Sequence, residues 1–149
     1  MNYSPILAPV VALVAWSIIV MLWMVATRFA AMKKAGITLS NAPPGGRGQQ
    51  LDGVIPDETQ WKSHNYTHLM EQPTLFYAIA ITLALMDFGG GINYYMAWGY
   101  VVLRVLHSIV QCTINTLTLR TPLFTLASLC LLGLTTHAAL KIAHDCGLL

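Results

Sequence analysis

From its first residue to Thr27 the chain carries no Asp, Glu, Lys, Arg or His. Such a stretch has few ways to fold. Pro5 to Thr27, at about 1.5 Å per residue, makes a helix of about 34 Å, enough to cross a bilayer. A cleavable leader would open with charge and end at a small-residue cleavage site, and neither is evident. The segment is therefore expected to stay as a membrane helix. Composition agrees, because 56% of the 149 residues are hydrophobic and only 9% are charged, against about a quarter in soluble domains. Mean hydropathy is +0.60. A chain of this kind cannot cover itself with water-facing side chains. The net charge of +2 is too small to suggest a nucleic-acid partner. Cys112, Cys130 and Cys146 show no metal spacing and an odd count, so they read as packing residues rather than a disulfide framework.

The expected architecture is all-α, an integral membrane bundle of four helices in one domain over residues 1–149. The spans are about 5–31, 58–86, 92–115 and 122–144. Helices are required because lipid satisfies no backbone group. Asp57 with Gln60 resembles a capping box for the second helix, and Thr121-Pro122 suits the start of the fourth. "DFGGGIN" (87–93) is a tight turn, and "AGITLSNAPPGGRGQQLDGVIPDETQ" (35–60) is the one sizeable loop. Arg28, Lys33, Lys34, Arg47 and Lys62 flank or occupy that loop, and Arg120 falls in the third. Basic residues favour the cytoplasm. Loops one and three are expected there, with both termini on the opposite side. Trp61, Tyr94 and Tyr95 fall where interfacial aromatics belong.

Two polar stripes interrupt the apolar pattern. In "HNYTHLMEQPTLFYA" (64–78), His64, His68 and Glu71 are spaced four and three apart and share one helix face. A carboxylate at the membrane boundary is expected to face protein or trapped water. Pro73 cannot donate to the Leu69 carbonyl, so a bend is expected. In "LRVLHSIVQ" (103–111), Arg104, His107 and Gln111 share a second face. An intramembrane arginine needs a named partner, and Glu71 is the natural one. Helix rise would place Glu71 about 10–15 Å shallower than Arg104, with His107 and Gln111 closer to it in depth.

These stripes, with the chain length, the four spans and the long first loop, resemble the MAPEG family, membrane-associated proteins in eicosanoid and glutathione metabolism, and a bacterial-type member in particular. Glu71 matches the family glutamate of helix two. His68 stands at the family asparagine and His64 near its arginine, while Pro73 follows the glutamate sooner than the pattern has it. Arg104 matches the family arginine of helix three, and His107 a common polar position. Gln111 replaces a tyrosine of the prostaglandin and leukotriene synthases. In "LRTPLF" (119–124), Phe124 replaces the arginine that activates the glutathione thiol there. The match is good for the family and poor for that catalytic subgroup.

The resemblance implies a homotrimer in a bacterial-type inner membrane, with glutathione as co-substrate bound between subunits near the cytoplasmic side. Glutathione offers two carboxylates, one ammonium and a thiol. Arg28, His64, His68 and Arg104 are candidate cations or donors, and Glu71 suits the ammonium. With Phe124 unable to donate, His107, Gln111 or Arg120 would support the thiolate. The implied reaction is thiolate attack, as in a transferase or peroxidase, on a small lipophilic electrophile dissolved in the bilayer. Two other readings stay open. One is a catalytically silent binding or accessory protein on the same fold. The other is a metal-binding protein using His64, His68 and Glu71, although this is not HExxH and no cysteine joins it. No metal is expected at the site.

Overall fold

The computed structural model describes residues 3–38, 40 and 44–148; part of the first loop lies outside these. Four helices account for most of the chain, and no strand occurs among the described residues. They are α1 (Leu7–Lys34), α2 (Asp57–Leu85), α3 (Ile92–Thr113) and α4 (Leu117–Asp145). α1 and α4 are long and apolar enough to cross a membrane. The polar stripes are carried by α2 and α3. α1 packs mainly on α2, and α3 mainly on α4, while α2 and α3 each touch all the other helices.

The core of the bundle is built from small and aromatic residues. Ala80, Ala97, Ala127 and Ala138 let helices approach, and Leu83, Leu131 and Leu134 fill between them. Phe76 of α2 stacks on Tyr100 of α3, with ring centroids 4.4 Å apart. Gly133 sits where a Cβ would lie 2.8 Å from the Met96 sulfur. Such small-residue contacts are how helices associate where lipid supplies no hydrophobic drive. The outward faces are apolar: Val11, Ile18, Ile19 and Leu22 on α1 and Leu126, Leu129 and Leu132 on α4 are all exposed.

Three local expectations are corrected. Asp57 and Gln60 form no capping box, because α2 starts after Pro56 with no side-chain cap. Gln60 instead turns to the loop, donating from Nε2 to the Gly48 carbonyl (3.2 Å) and to Asp52 Oδ1 (2.5 Å). α4 begins five residues before Pro122, at Leu117, and runs through the proline. The cause is Asn115, whose φ of 55° turns the chain sharply after α3; asparagine tolerates this left-handed region better than most residues. Arg120 is accordingly a helix residue and not a loop residue. Pro73 lies inside α2, within the expected second span.

Candidate functional site

The early start of α4 positions the site. Leu117, Arg120, Thr121 and Phe124 are spaced three, one and three apart, so they fall on one face of its first two turns. That face meets His68 of α2 and His107 of α3, and the six residues line a cavity of about 210 Å³. Phe124 forms one wall. Its ring stacks on His68 at 5.4 Å between centroids and lies 6.1 Å from His107. The two imidazoles are themselves 5.2 Å apart. Behind them, the Arg104 guanidinium lies 5.7 Å from the Phe124 ring centre, within reach of a cation–π attraction.

Arg104 is 0% exposed. Its Nη2 donates to the His68 carbonyl at 2.9 Å and its Nη1 lies 3.3 Å from His68 Nε2. The expected pairing with Glu71 is not made directly. Glu71 Oε2 lies 3.0 Å from His68 Nδ1, and its side chain is 62% exposed on the isolated chain. The imidazole therefore stands between carboxylate and guanidinium. The expected gap in depth does not separate the two stripes, since Arg104 reaches the backbone one helical turn from Glu71.

The other expected residues divide. His107 is 3% exposed and, among the described residues, no hydrogen-bond partner meets its ring nitrogens, which leaves them free for a ligand. Arg120 is held by Asn115, whose Oδ1 accepts from Nη1 at 2.5 Å. Gln111 is buried but does not line the cavity, and its Oε1 has no partner. His64 turns to Asp52, with 3.5 Å between Nε2 and Oδ1. This separates His64 from His68 and Glu71, the set on which the metal reading depended. Among the described residues no three His, Cys, Asp or Glu side chains gather as a ligand set. Arg28 donates to Ser63 Oγ and packs on Gly48, where a Cβ would lie 2.8 Å from its Nη1. It anchors the loop to α1 and α2 and is not among the residues lining the cavity.

Two features were not visible from spacing. Phe124, set apart in the sequence as a missing arginine, is the aromatic wall joining both histidines to Arg104. The second is a buried polar junction of three helices. Ser108 Oγ of α3 accepts from Trp16 Nε1 of α1 at 2.9 Å and from Asn65 Nδ2 of α2 at 2.5 Å. Asn65 also reaches the Cys112 sulfur at 3.3 Å. Asn65 precedes His68 by one turn and Ser108 follows His107 directly, so this junction sets the register that brings the imidazoles together. The adjacency of Asn65 to His64 and of Ser108 to His107 was the available signal, but it does not reveal a contact.

Arginine pairing gives the site its charge character. The ion pairs among the described residues join Asp52, Glu71 and Asp145 to His64, His68, Lys141 and His144. None involves an arginine. Arg28, Arg104 and Arg120 each keep a buried Nε without a partner. Of these only Arg104 is buried; a buried cation without direct counter-charge is costly, and an anionic ligand would relieve that cost.

Helices with apolar outer faces around a buried arginine and two histidines define an all-α membrane protein with a polar internal site. The chain belongs to the MAPEG family, whose model matches residues 6–140. No curated protein and no solved structure matches it significantly.

Proposed function

We propose that this protein is a membrane-embedded glutathione-dependent transferase or peroxidase acting on a lipophilic electrophile. The observation that carries the reading is that Arg104 and Arg120, neither with a carboxylate partner, stand at or behind a cavity lined by two histidines. Glutathione supplies two carboxylates and, when ionised, a thiolate. Family membership supports glutathione as the co-substrate. Arg104, Arg120 and His107, the last with free ring nitrogens at the cavity wall, suit its carboxylates and its sulfur. Gln111 lies off the cavity and its side chain, unlike that of Arg104, bonds to none of the lining residues, so it is set aside as a thiolate donor.

A homotrimer with loops one and three in the cytoplasm of a bacterial-type cell completes the proposal. Its support is a stripe on α2. His64, Thr67, Glu71, Thr74, Ala78 and Ile81 repeat at alternating three- and four-residue steps, and all are exposed on the single chain. That is the spacing of a coiled-coil seam. A carboxylate and two threonines on it are poorly suited to lipid and well suited to neighbouring copies.

One observation favours a silent binding protein instead. Phe124 occupies the wall where an activating cation would stand, and it can donate no hydrogen bond. Consumption of glutathione thiol with a chlorinated aromatic electrophile, using purified protein in detergent, separates the two. Turnover above the uncatalysed rate, lost in His107→Leu, supports the enzyme. Binding of glutathione without turnover supports the silent protein.

A further inference from the structure

The hydrogen bonds of His68 fix its tautomer. A carboxylate only accepts and a guanidinium only donates. Contacts to Glu71 at Nδ1 and Arg104 at Nε2 are both satisfied when the proton is on Nδ1 and the lone pair is on Nε2. The imidazole is then neutral and oriented on both sides. Glu71 stands ready to stabilise a positive charge on it, as a carboxylate does for a general-base histidine. Arg104 occupies the basic nitrogen but has no anion of its own.

We infer that Glu71 and His68 form a carboxylate–imidazole base that takes the thiol proton of bound glutathione, while Arg104 releases His68 and receives the sulfur. This rests on the reading in the preceding subsection and assigns the thiol-activating role left open by Phe124. At rest one negative charge, on Glu71, and one positive charge, on Arg104, flank a neutral ring. After transfer the S–H electron pair stays on sulfur and the proton is on His68 Nε2. Two ion pairs then stand side by side, thiolate with Arg104 and imidazolium with Glu71. For an aryl chloride, the sulfur lone pair forms the S–C bond and chloride leaves with the C–Cl pair. His68 returns its proton to water. His68 is the catalytic residue and Glu71 a positioning residue acting through it. The charged and titratable groups facing His68 are Glu71 on its own helix, Arg104 and His107 from α3 and Arg120 from α4.

The test follows the ultraviolet absorbance of glutathione thiolate on the intact protein across pH, with calorimetry reporting whether glutathione is bound. In the native protein thiolate should form below the ordinary thiol midpoint of about 8.5. Glu71→Gln should keep glutathione bound but move the midpoint up by about one unit or more, the scale of a lost carboxylate neighbour. Glu71→Asp should recover part of that shift, which a purely structural role would not produce. His68→Gln should bind glutathione and lack the low-pH thiolate. An unchanged midpoint in Glu71→Gln and His68→Gln, with glutathione bound, overturns the inference and leaves the glutathione reading intact. Loss of binding in Glu71→Gln also overturns it, because Glu71 would then hold the ammonium. Failure of the native protein to bind glutathione overturns both.

Discussion

Ser108→Ala probes the junction that holds the site in register. Ser108 Oγ accepts from two donors on two other helices, Trp16 Nε1 at 2.9 Å and Asn65 Nδ2 at 2.5 Å. Removing the oxygen leaves both without this acceptor. Asn65 is fully buried and Ser108 is as well, so water cannot readily replace it. Inter-helix bonds in membranes average about 0.6 kcal/mol and reach about 1.7. Two such bonds give a loss of about 1–3 kcal/mol. The assay is reversible unfolding from mild detergent into a denaturing one, with Trp16→Phe and the double mutant closing a cycle. Trp16→Phe removes one donor while keeping a ring. The double mutant should therefore lose less than the sum by about 0.5 kcal/mol or more, as sites sharing one network are non-additive. Native-like stability in Ser108→Ala together with zero coupling would refute the reasoning. The junction would then be a coincidence of packing and not what aligns His68 with His107.

Other consequences can be checked in the same preparations. Arg104→Met should weaken glutathione binding at least tenfold, and adding Glu71→Gln should change stability non-additively if His68 couples the two residues; melting curves of both single mutants and the double mutant report this. Asn115→Gly keeps the left-handed turn but frees Arg120, so it should lower glutathione affinity with little effect on melting, whereas Asn115→Ala should also cost about 1 kcal/mol in backbone strain. At the far end of α4, the Lys141 ammonium holds the exposed Asp145 carboxyl below its usual range. Its folded pKa is depressed, so the small stabilisation is present above the ordinary carboxylate pKa and is lost as pH falls through the depressed one. Lys141→Met should raise the Asp145 midpoint when it is titrated by carbon NMR.

α1 and α4 were legible because uncharged runs of membrane length admit little else, and α2 and α3 because apolar runs flank their few polar positions. The helix ends were less so. Thr121-Pro122 carries a good start signal, yet Asn115 turns the chain earlier and α4 simply contains the proline. Asp57 and Gln60 have capping-box spacing, but Gln60 is claimed by Gly48 and Asp52 of the folded loop, a tertiary contact that no local pattern contains. In the site, both polar stripes were visible from their three- and four-residue steps. The way they interlock was not. Charge alone matched Glu71 to Arg104, while the structure places the His68 ring between them. Spacing gives the face of a helix but not its rotation against a neighbour, and that rotation is set here by Trp16, Asn65 and Ser108. Phe124 read as an absence because a residue's type shows what its side chain can donate, not what its ring stacks on.

Isothermal calorimetry of reduced glutathione against the purified protein tests the central claim most directly. Native protein should give a saturable heat. That heat should weaken at least tenfold in Arg120→Leu and in His107→Leu, both of which line the cavity, and persist in Lys141→Met, which is far from it in the chain. No saturable heat with the native protein, or equal heats in all four proteins, would contradict the placement of a glutathione site between α2, α3 and the first turns of α4.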